Sequence, residues 1–146
     1  MTTESSTPGT VPTIYLTRRE TFAAAHRLWS AELSAAENHA LYGKCAREFG
    51  HGHNYVLEVT LRGGIDPKTG VLVNVTTVRD AIRELILDHV DHRHLNHDSP
   101  LCAGINPTVE NLTVCFWRAL QPRFGALLHE VCLHETEKNW ARYRGE

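Results

Sequence analysis

The sequence lacks the features that would assign it to a membrane, secreted or nucleic-acid-binding class. No apolar run approaches the roughly 18 residues of a transmembrane helix. The N-terminal residues are polar and do not form the basic and apolar segments of a signal peptide. Lysine and arginine total 15 against 17 acidic residues, so the basic excess of a nucleic-acid binder is absent. We therefore expect a cytoplasmic protein with neither a membrane nor a nucleic-acid partner.

Cysteine is scarce and unpatterned, whereas histidine is abundant. The four cysteines form no CxxC motif, and we expect them to be thiols in a reducing compartment rather than disulfides. The ten histidines outnumber phenylalanine and tyrosine together, with four of each. Histidine serves in metal ligation, in proton transfer and on solvated surfaces, so position must decide its role.

Composition and hydrophobic patterning predict one α+β domain. With 42% hydrophobic and 22% charged residues, the chain fits a single globular domain at 14–146 behind a flexible polar tail at 1–13. The pattern predicts strands at 14–26 and 51–62, helices at 74–89 and from Thr108 to Pro122, and two strands in the last third. This ββααββ order predicts a four-stranded antiparallel sheet with two helices packed on one face.

Three histidines are predicted to meet at one end of the first hairpin. His51 and His53 are two apart on a strand and therefore point to the same face. His26 ends the preceding strand, and the end of one antiparallel strand lies beside the start of the next. Three imidazoles with a fourth position open are typical of catalytic zinc, although copper, nickel and iron also accept imidazole. The alternative is that HGH is an accidental pair on a hairpin edge.

Cys45 lies in the loop that precedes these two histidines. Its neighbour Lys44 is expected to favour the thiolate, the reactive form of cysteine. An ordinary loop cysteine is the alternative interpretation.

Three further acidic positions are candidates for chemistry. Asp91 precedes His92, and a carboxylate can orient an imidazole and raise its basicity, although adjacent residues rarely pair directly. Glu110 falls in the first turn of the second helix, where it can simply complement the helix dipole. Glu135 interrupts a strand-like run and needs a partner, a role that the N–H groups of a ligand would fill.

Together these motifs resemble the 6-pyruvoyl tetrahydropterin synthase family of the tunnelling fold. The resemblance spans about residues 14–146 and rests on FAAAHRL, GKCAREFGHGHNY, IDPKTG, DHRHLN, PTVEN and HET followed by YRGE. It implies the tunnelling fold in ββααββ order. It also implies trimers that stack into homohexamers, with active sites shared between subunits.

The resemblance also implies a reaction and a set of residues. The substrate would be 7,8-dihydroneopterin triphosphate, which loses triphosphate while its side chain isomerises to a diketone, without an external redox cofactor. The implied roles are zinc ligands at His26, His51 and His53, a catalytic base at Cys45, a proton relay at Asp91 and His92, and pterin binding at Glu135 with Thr108 and Glu110 nearby.

Three alternatives stay open at this point. The sister enzyme, 6-carboxytetrahydropterin synthase of the queuosine route, has a shorter spacer between its cysteine and HGH than Ala46–Gly50 provides here, which favours the pyruvoyl product. A non-catalytic metal-binding module or a zinc-hydroxide hydratase would leave Glu135 without a role. Thr77 departs from the family pattern, because that position is usually acidic.

Overall fold

The computed structural model describes residues 9–146, so the predicted tail at 1–8 lies outside the described residues. Residues 9–12 form no helix or strand, and the first strand begins at Thr13, beside the predicted boundary. Within residues 9–146 no helix has both the length and the apolar character needed to cross a bilayer.

One mixed sheet of five strands forms the centre of the described residues. Its strands are β1 (Thr13–His26), β2 (His51–Gly64), β3 (Arg93–His94), β4 (Leu128–His134) and β5 (Trp140–Tyr143). The spatial order is β3-β1-β2-β4-β5, and every neighbouring pair is antiparallel except β3 with β1.

The four-stranded, wholly antiparallel prediction is therefore wrong by one strand. The amides of His92 and Leu95 donate to the carbonyls of Ala23 and Ala25, at 2.6 and 2.7 Å, which pairs β3 in parallel with β1. Only two residues are paired, too few for a hydrophobic period to appear in so polar a segment. The hydrogen bonds of this short strand form because the fold places it beside β1, not because of a local sequence pattern.

The predicted helices are present, and a third lies in the long connection between β1 and β2. The helices are α1 (Ala35–Tyr42), α2 (Val75–Ile82), α3 (Asp88–Val90) and α4 (Val109–Phe124). A π-helical turn, Arg83–Leu87, joins α2 to α3, so these run as one helical segment. Asn74 and Thr108 cap α2 and α4 as predicted, with side-chain oxygens that accept backbone N–H groups. Pro122 does not end α4, which continues to Phe124.

The sheet has two different faces, which we call the covered face and the open face. The covered face carries Tyr55, Leu57 and Val59 of β2, all fully buried, and packs against α2, α3 and α4. Two helical segments complete that core. They contribute Leu112, Phe116 and Leu120 from α4, and Val78, Ile82, Ile86 and Val90 from the segment that runs from α2 to α3. The open face carries the alternating residues of the same strands, including Val56, Glu58 and Thr60. Both principal helices thus lie on one face, as predicted.

Candidate active site

The three histidines predicted to meet do lie together, on the covered face at one end of the first hairpin. His26 pairs directly with His51, and the three ring centroids are 4.7–5.0 Å apart. The Nε2 atoms of His51 and His53 are 2.9 Å apart, and one ligand atom from each ring lies within 4.8 Å of the others. This three-histidine cluster forms a group that could hold a metal ion.

The ring of His26 is held in place through one nitrogen, Nδ1, which leaves the other nitrogen, Nε2, facing the cluster. Its Nδ1 lies 2.8 Å from the carbonyl oxygen of Pro107 and 3.3 Å from the hydroxyl of Tyr55. Burial lowers its pKa to about 4, so the ring is neutral, with Nδ1–H donating to Pro107. Its buried Nε2 has no hydrogen-bond partner among residues 9–146. A lone pair buried in this way fits a metal, because unpartnered buried polar atoms are costly.

The other two rings complete a donor set suited to zinc. Burial, and then the charge of His51, lowers the pKa of His53, which favours its neutral form. Two Nε2 atoms only 2.9 Å apart leave room for at most one hydrogen between neutral rings. Neutral imidazole nitrogens that converge on one point are ligands of zinc and of other late transition metals.

Gly50 allows the strand that carries two of these histidines to begin close to the third. Its φ of +71° lies in the left-handed region that favours glycine. A Cβ at this position would overlap the backbone carbonyl of His26. At Gly52, by contrast, a Cβ would meet the carbonyl of Ala24 only at ordinary contact distance, 3.4 Å.

Cys45 lies beside the cluster, as the loop position suggested. Its Sγ is 3.7 Å from Nε2 of His51, and its carbonyl accepts the amide N–H of Leu28 at 2.8 Å. Burial, and then the charge of Glu135, raises the pKa of the thiol. The net shift is opposite to the thiolate-favouring effect expected of Lys44, because burial and a carboxylate both disfavour the thiolate.

Glu135 also lies beside the cluster and lines a cavity of about 710 Å³. Its Oε1 is 3.9 Å from Nε2 of His53. Thr108 and Glu110, at the start of α4, line the same cavity. Burial, and then the nearby charge of Glu110, raises the pKa of Glu135. The cavity therefore offers two carboxyl groups that can accept hydrogen bonds from a ligand.

Asp91 and His92 pair directly, which adjacency alone argued against. Nδ1 of His92 is 2.9 Å from Oδ1 of Asp91, and the same oxygen accepts the amide N–H of Ala23 at 3.0 Å. His92 adopts a φ of +60°, in the left-handed region that few residues other than glycine occupy and in which asparagine, aspartate and histidine are enriched. His92 and His53 line a second cavity of about 450 Å³, whereas Glu135 lines the first.

Several residues near the cluster were not found from the sequence. Tyr55 shares the strand parity of His51 and His53, a signal that could have placed its hydroxyl beside His26. Pro107 directly precedes Thr108, the predicted start of a helix, but its carbonyl contact with His26 depends on tertiary packing. Tyr42 and Trp140 also line the cavity of Glu135.

Comparisons with known proteins now decide the family. The family model for 6-pyruvoyl tetrahydropterin synthase matches residues 15–146. The chain belongs to the 6-pyruvoyl tetrahydropterin synthase family. The resemblance inferred from the motifs is confirmed, and so is its extent along the chain.

Similar proteins carry matching names. The chain is 48% identical over 136 residues to 6-pyruvoyl tetrahydrobiopterin synthase of Drosophila melanogaster, a match that covers 92% of this chain and 81% of that protein. The human protein of the same name is 41% identical over 132 residues, covering 90% and 91% respectively. The structure of Caenorhabditis elegans 6-pyruvoyl tetrahydropterin synthase superposes with a TM-score of 0.87 at 38% identity, covering 93% of this chain and 98% of that one.

Proposed function

We propose that this chain converts 7,8-dihydroneopterin triphosphate to 6-pyruvoyl tetrahydropterin and eliminates triphosphate, with zinc held by His26, His51 and His53. One observation carries the proposal: a thiol and a carboxylate flank the same histidine cluster. Cys45 lies 3.7 Å from His51, and Glu135 lies 3.9 Å from His53. The names of relatives at 41–48% identity support the same activity.

Proton transfer is the chemistry that these side chains support. The C–H groups that must lose protons are weakly acidic, and bound zinc supplies a Lewis acid that increases their acidity. Cys45 would act as the thiolate and accept one proton at Sγ from a substrate carbon placed beside His51, and the positive charge of a metal on the three histidines would favour that thiolate. His92, oriented by Asp91 at 2.9 Å, serves as the second proton carrier at its free ring nitrogen. Two separate carriers suit an isomerisation that moves protons at neighbouring carbons.

Glu135 orients the substrate. The pterin ring presents adjacent N–H groups, and a carboxylate can accept two of them side by side. Glu135 lines the 710 Å³ cavity together with Thr108 and Glu110, so the ring would lie at the start of α4. Oε1 of Glu135 lies 3.9 Å from Nε2 of His53, and this distance would set how far the bound pterin ring lies from the three-histidine cluster. A substrate held at a fixed distance from the catalytic groups reacts faster, because binding has already removed its translational and rotational freedom.

We also propose that the chain assembles as a homohexamer, a dimer of trimers with active sites between subunits. Large apolar side chains are exposed near the site, including Phe49 at 87% and Leu41 at 66% exposed. Large apolar side chains exposed to this degree are available for contacts between subunits. Light scattering should report about 98 kDa, six times the chain mass of 16.4 kDa. A mass equal to that of one chain would contradict the assembly.

The identity of the product tests the proposed reaction. Zinc-loaded protein is incubated with dihydroneopterin triphosphate, and the products are identified by mass spectrometry. Triphosphate together with the pyruvoyl pterin supports the proposal. A carboxypterin with acetaldehyde would assign the chain to the sister reaction. Zinc binding without turnover would instead indicate a metal-binding module.

A further inference from the structure

A second group of metal-ligand side chains lies on the open face of the sheet. Glu58 of β2 pairs directly with Cys132 of β4, and His134 follows two residues later on the same face. Neither Cys132 nor His134 has a part in the reaction proposed above. This open-face cluster is therefore separate from the three-histidine cluster, whose side chains point to the covered face.

The donor atoms of the open-face cluster converge. Nε2 of His134 lies 2.6 Å from Oε1 of Glu58 and 3.6 Å from Sγ of Cys132. All three ligand atoms lie within 4.8 Å of one another. A ring nitrogen carries at most one hydrogen, so it cannot donate well to both the oxygen and the sulfur. A cation between the three atoms would satisfy all of them at once.

Burial argues that the sulfur belongs to this arrangement. Cys132 is only 4% exposed, whereas His134 and Glu58 have side chains 22% and 26% exposed. The thiol contacts Nε2 of His134 at 3.6 Å and the guanidinium of Arg142, so the sulfur faces these side chains rather than solvent. Burial, and then the charge of Glu58, raises the pKa of Cys132, which disfavours the thiolate when no cation is near.

Nearby charges also allow a divalent cation. Arg19 pairs with Glu58 across β1 and β2, at 3.7 Å, and Arg142 pairs with Cys132 across β4 and β5. Arg142 in turn lies 3.7 Å from Glu130. Arg142 therefore has a carboxylate partner outside the cluster, whereas the partner of Arg19 is Glu58 itself. A thiolate and a carboxylate together would neutralise a divalent cation.

The donor set and its access point to one class of cation. Sulfur, imidazole nitrogen and carboxylate oxygen are the ligands of zinc, whereas calcium and magnesium prefer oxygen alone. His134 and Glu58 are partly exposed, at 22% and 26% of their side chains, and His134 lines a cavity of about 690 Å³ that His53 and Glu135 also line, so solvent reaches the donors of these two residues. We infer that Glu58, Cys132 and His134 bind a second zinc-type divalent cation, with the fourth coordination position open to water.

Metal counting tests this second site. The full chain is stripped with a chelator and titrated with Zn²⁺ alone, and bound zinc is measured by elemental mass spectrometry. Wild type should bind two equivalents per chain, and both Cys132→Ser and His51→Ala should bind one. Cys115→Ser, a change of a thiol on α4 outside the cluster, should still bind two. Retention of the wild-type count in Cys132→Ser would overturn the proposal.

Cobalt spectroscopy provides a second readout if a substitution impairs folding. Co²⁺ bound to a thiolate gives a sulfur-to-metal charge-transfer band in the near ultraviolet. In a His51→Ala background, the band should persist with Cys45→Ser and disappear with Cys132→Ser. The milder change Glu58→Gln should weaken cobalt binding while leaving the fold, measured by circular dichroism, intact. A band that depends on Cys45 but not on Cys132 would contradict the site.

Discussion

The two faces of the same sheet arrange similar side chains in different surroundings. On the covered face, burial lowers the pKa of His26 and His53, and the carbonyl of Pro107 fixes the ring of His26. On the open face, Cys132 and Glu58 contribute donors that are anionic when they bind a metal, with Arg19 3.7 Å from Glu58. The covered-face cluster is ready to bind a cation, whereas the open-face cluster must first release a thiol proton.

Burial is the physical origin of this difference. Desolvation lowers the pKa of His26 and His53, which leaves the lone pairs of these imidazoles available. On the open face, polar pairs such as Arg144 with Glu130 remain partly solvated. We therefore expect substitutions on the covered face to have large effects on metal binding, activity and folding, and those on the open face to change the free energy of unfolding little.

The largest effect is expected for His26→Ala. The substitution removes the fully buried ligand, so we expect the loss of one zinc equivalent and a fall in kcat of about a thousandfold or more. Zinc content and turnover should be measured on the same sample. His97→Ala, which changes an exposed histidine outside both clusters, is the matched control. Wild-type turnover by His26→Ala would show that the covered-face cluster is not required.

Gly50→Ala tests whether close approach of the backbone builds the covered-face cluster. The new Cβ would overlap the carbonyl of His26 at a positive φ, so we expect the free energy of unfolding to fall by about 3 kcal/mol. Gly104 has a similar φ of +79° but open space around it, and Gly104→Ala should cost only about 1 kcal/mol. Urea denaturation measures both. Equal losses would mean that contact with His26 is unimportant.

Glu135→Gln tests orientation of the substrate on the covered face. Loss of charge-assisted hydrogen bonds should reduce kcat/KM by about 10- to 100-fold, because such a bond contributes about 1.5–3 kcal/mol. Zinc content should not change. Glu137→Gln, at an exposed position two residues later, serves as the control. If both variants lose activity equally, the effect belongs to the hairpin rather than to the Glu135 carboxylate.

The smallest effect is expected for Glu130→Gln on the open face. Its carboxylate contacts Arg144 at 2.8 Å and Arg142 at 3.7 Å, and both arginines are more than half exposed. Solvated pairs of this kind contribute about 0.2–1 kcal/mol, so thermal unfolding should shift only slightly. A loss above about 2 kcal/mol would show that the open face is not solvated in the working assembly.

The sequence predicted those features that depend on local spacing. His51 and His53 share a face because strands alternate, and His26 joins them because a hairpin brings its strand ends together. The caps at Asn74 and Thr108 follow from the preference of short polar side chains for helix starts. Each of these features involves residues close in sequence or one antiparallel pair.

Features that depend on distant register could not be predicted. β3 has only two residues, and its parallel pairing with β1 depends on where α3 ends. Glu58 meets His134 only because β2 and β4 align in one register, and no residue pattern in either strand specifies that alignment. The direct pairing of Asp91 with His92 depends on an uncommon backbone conformation at His92.

Turnover by Cys45→Ala tests the central claim most directly, namely that the thiol beside the three-histidine cluster is the catalytic base. Zinc content and formation of the pyruvoyl product should be measured together, with Cys115→Ser, a cysteine of α4 away from both clusters, as the control. We predict unchanged zinc and a fall in kcat of about 10²- to 10⁴-fold for Cys45→Ala, with wild-type turnover for the control. Wild-type product formation by zinc-loaded Cys45→Ala would contradict the account.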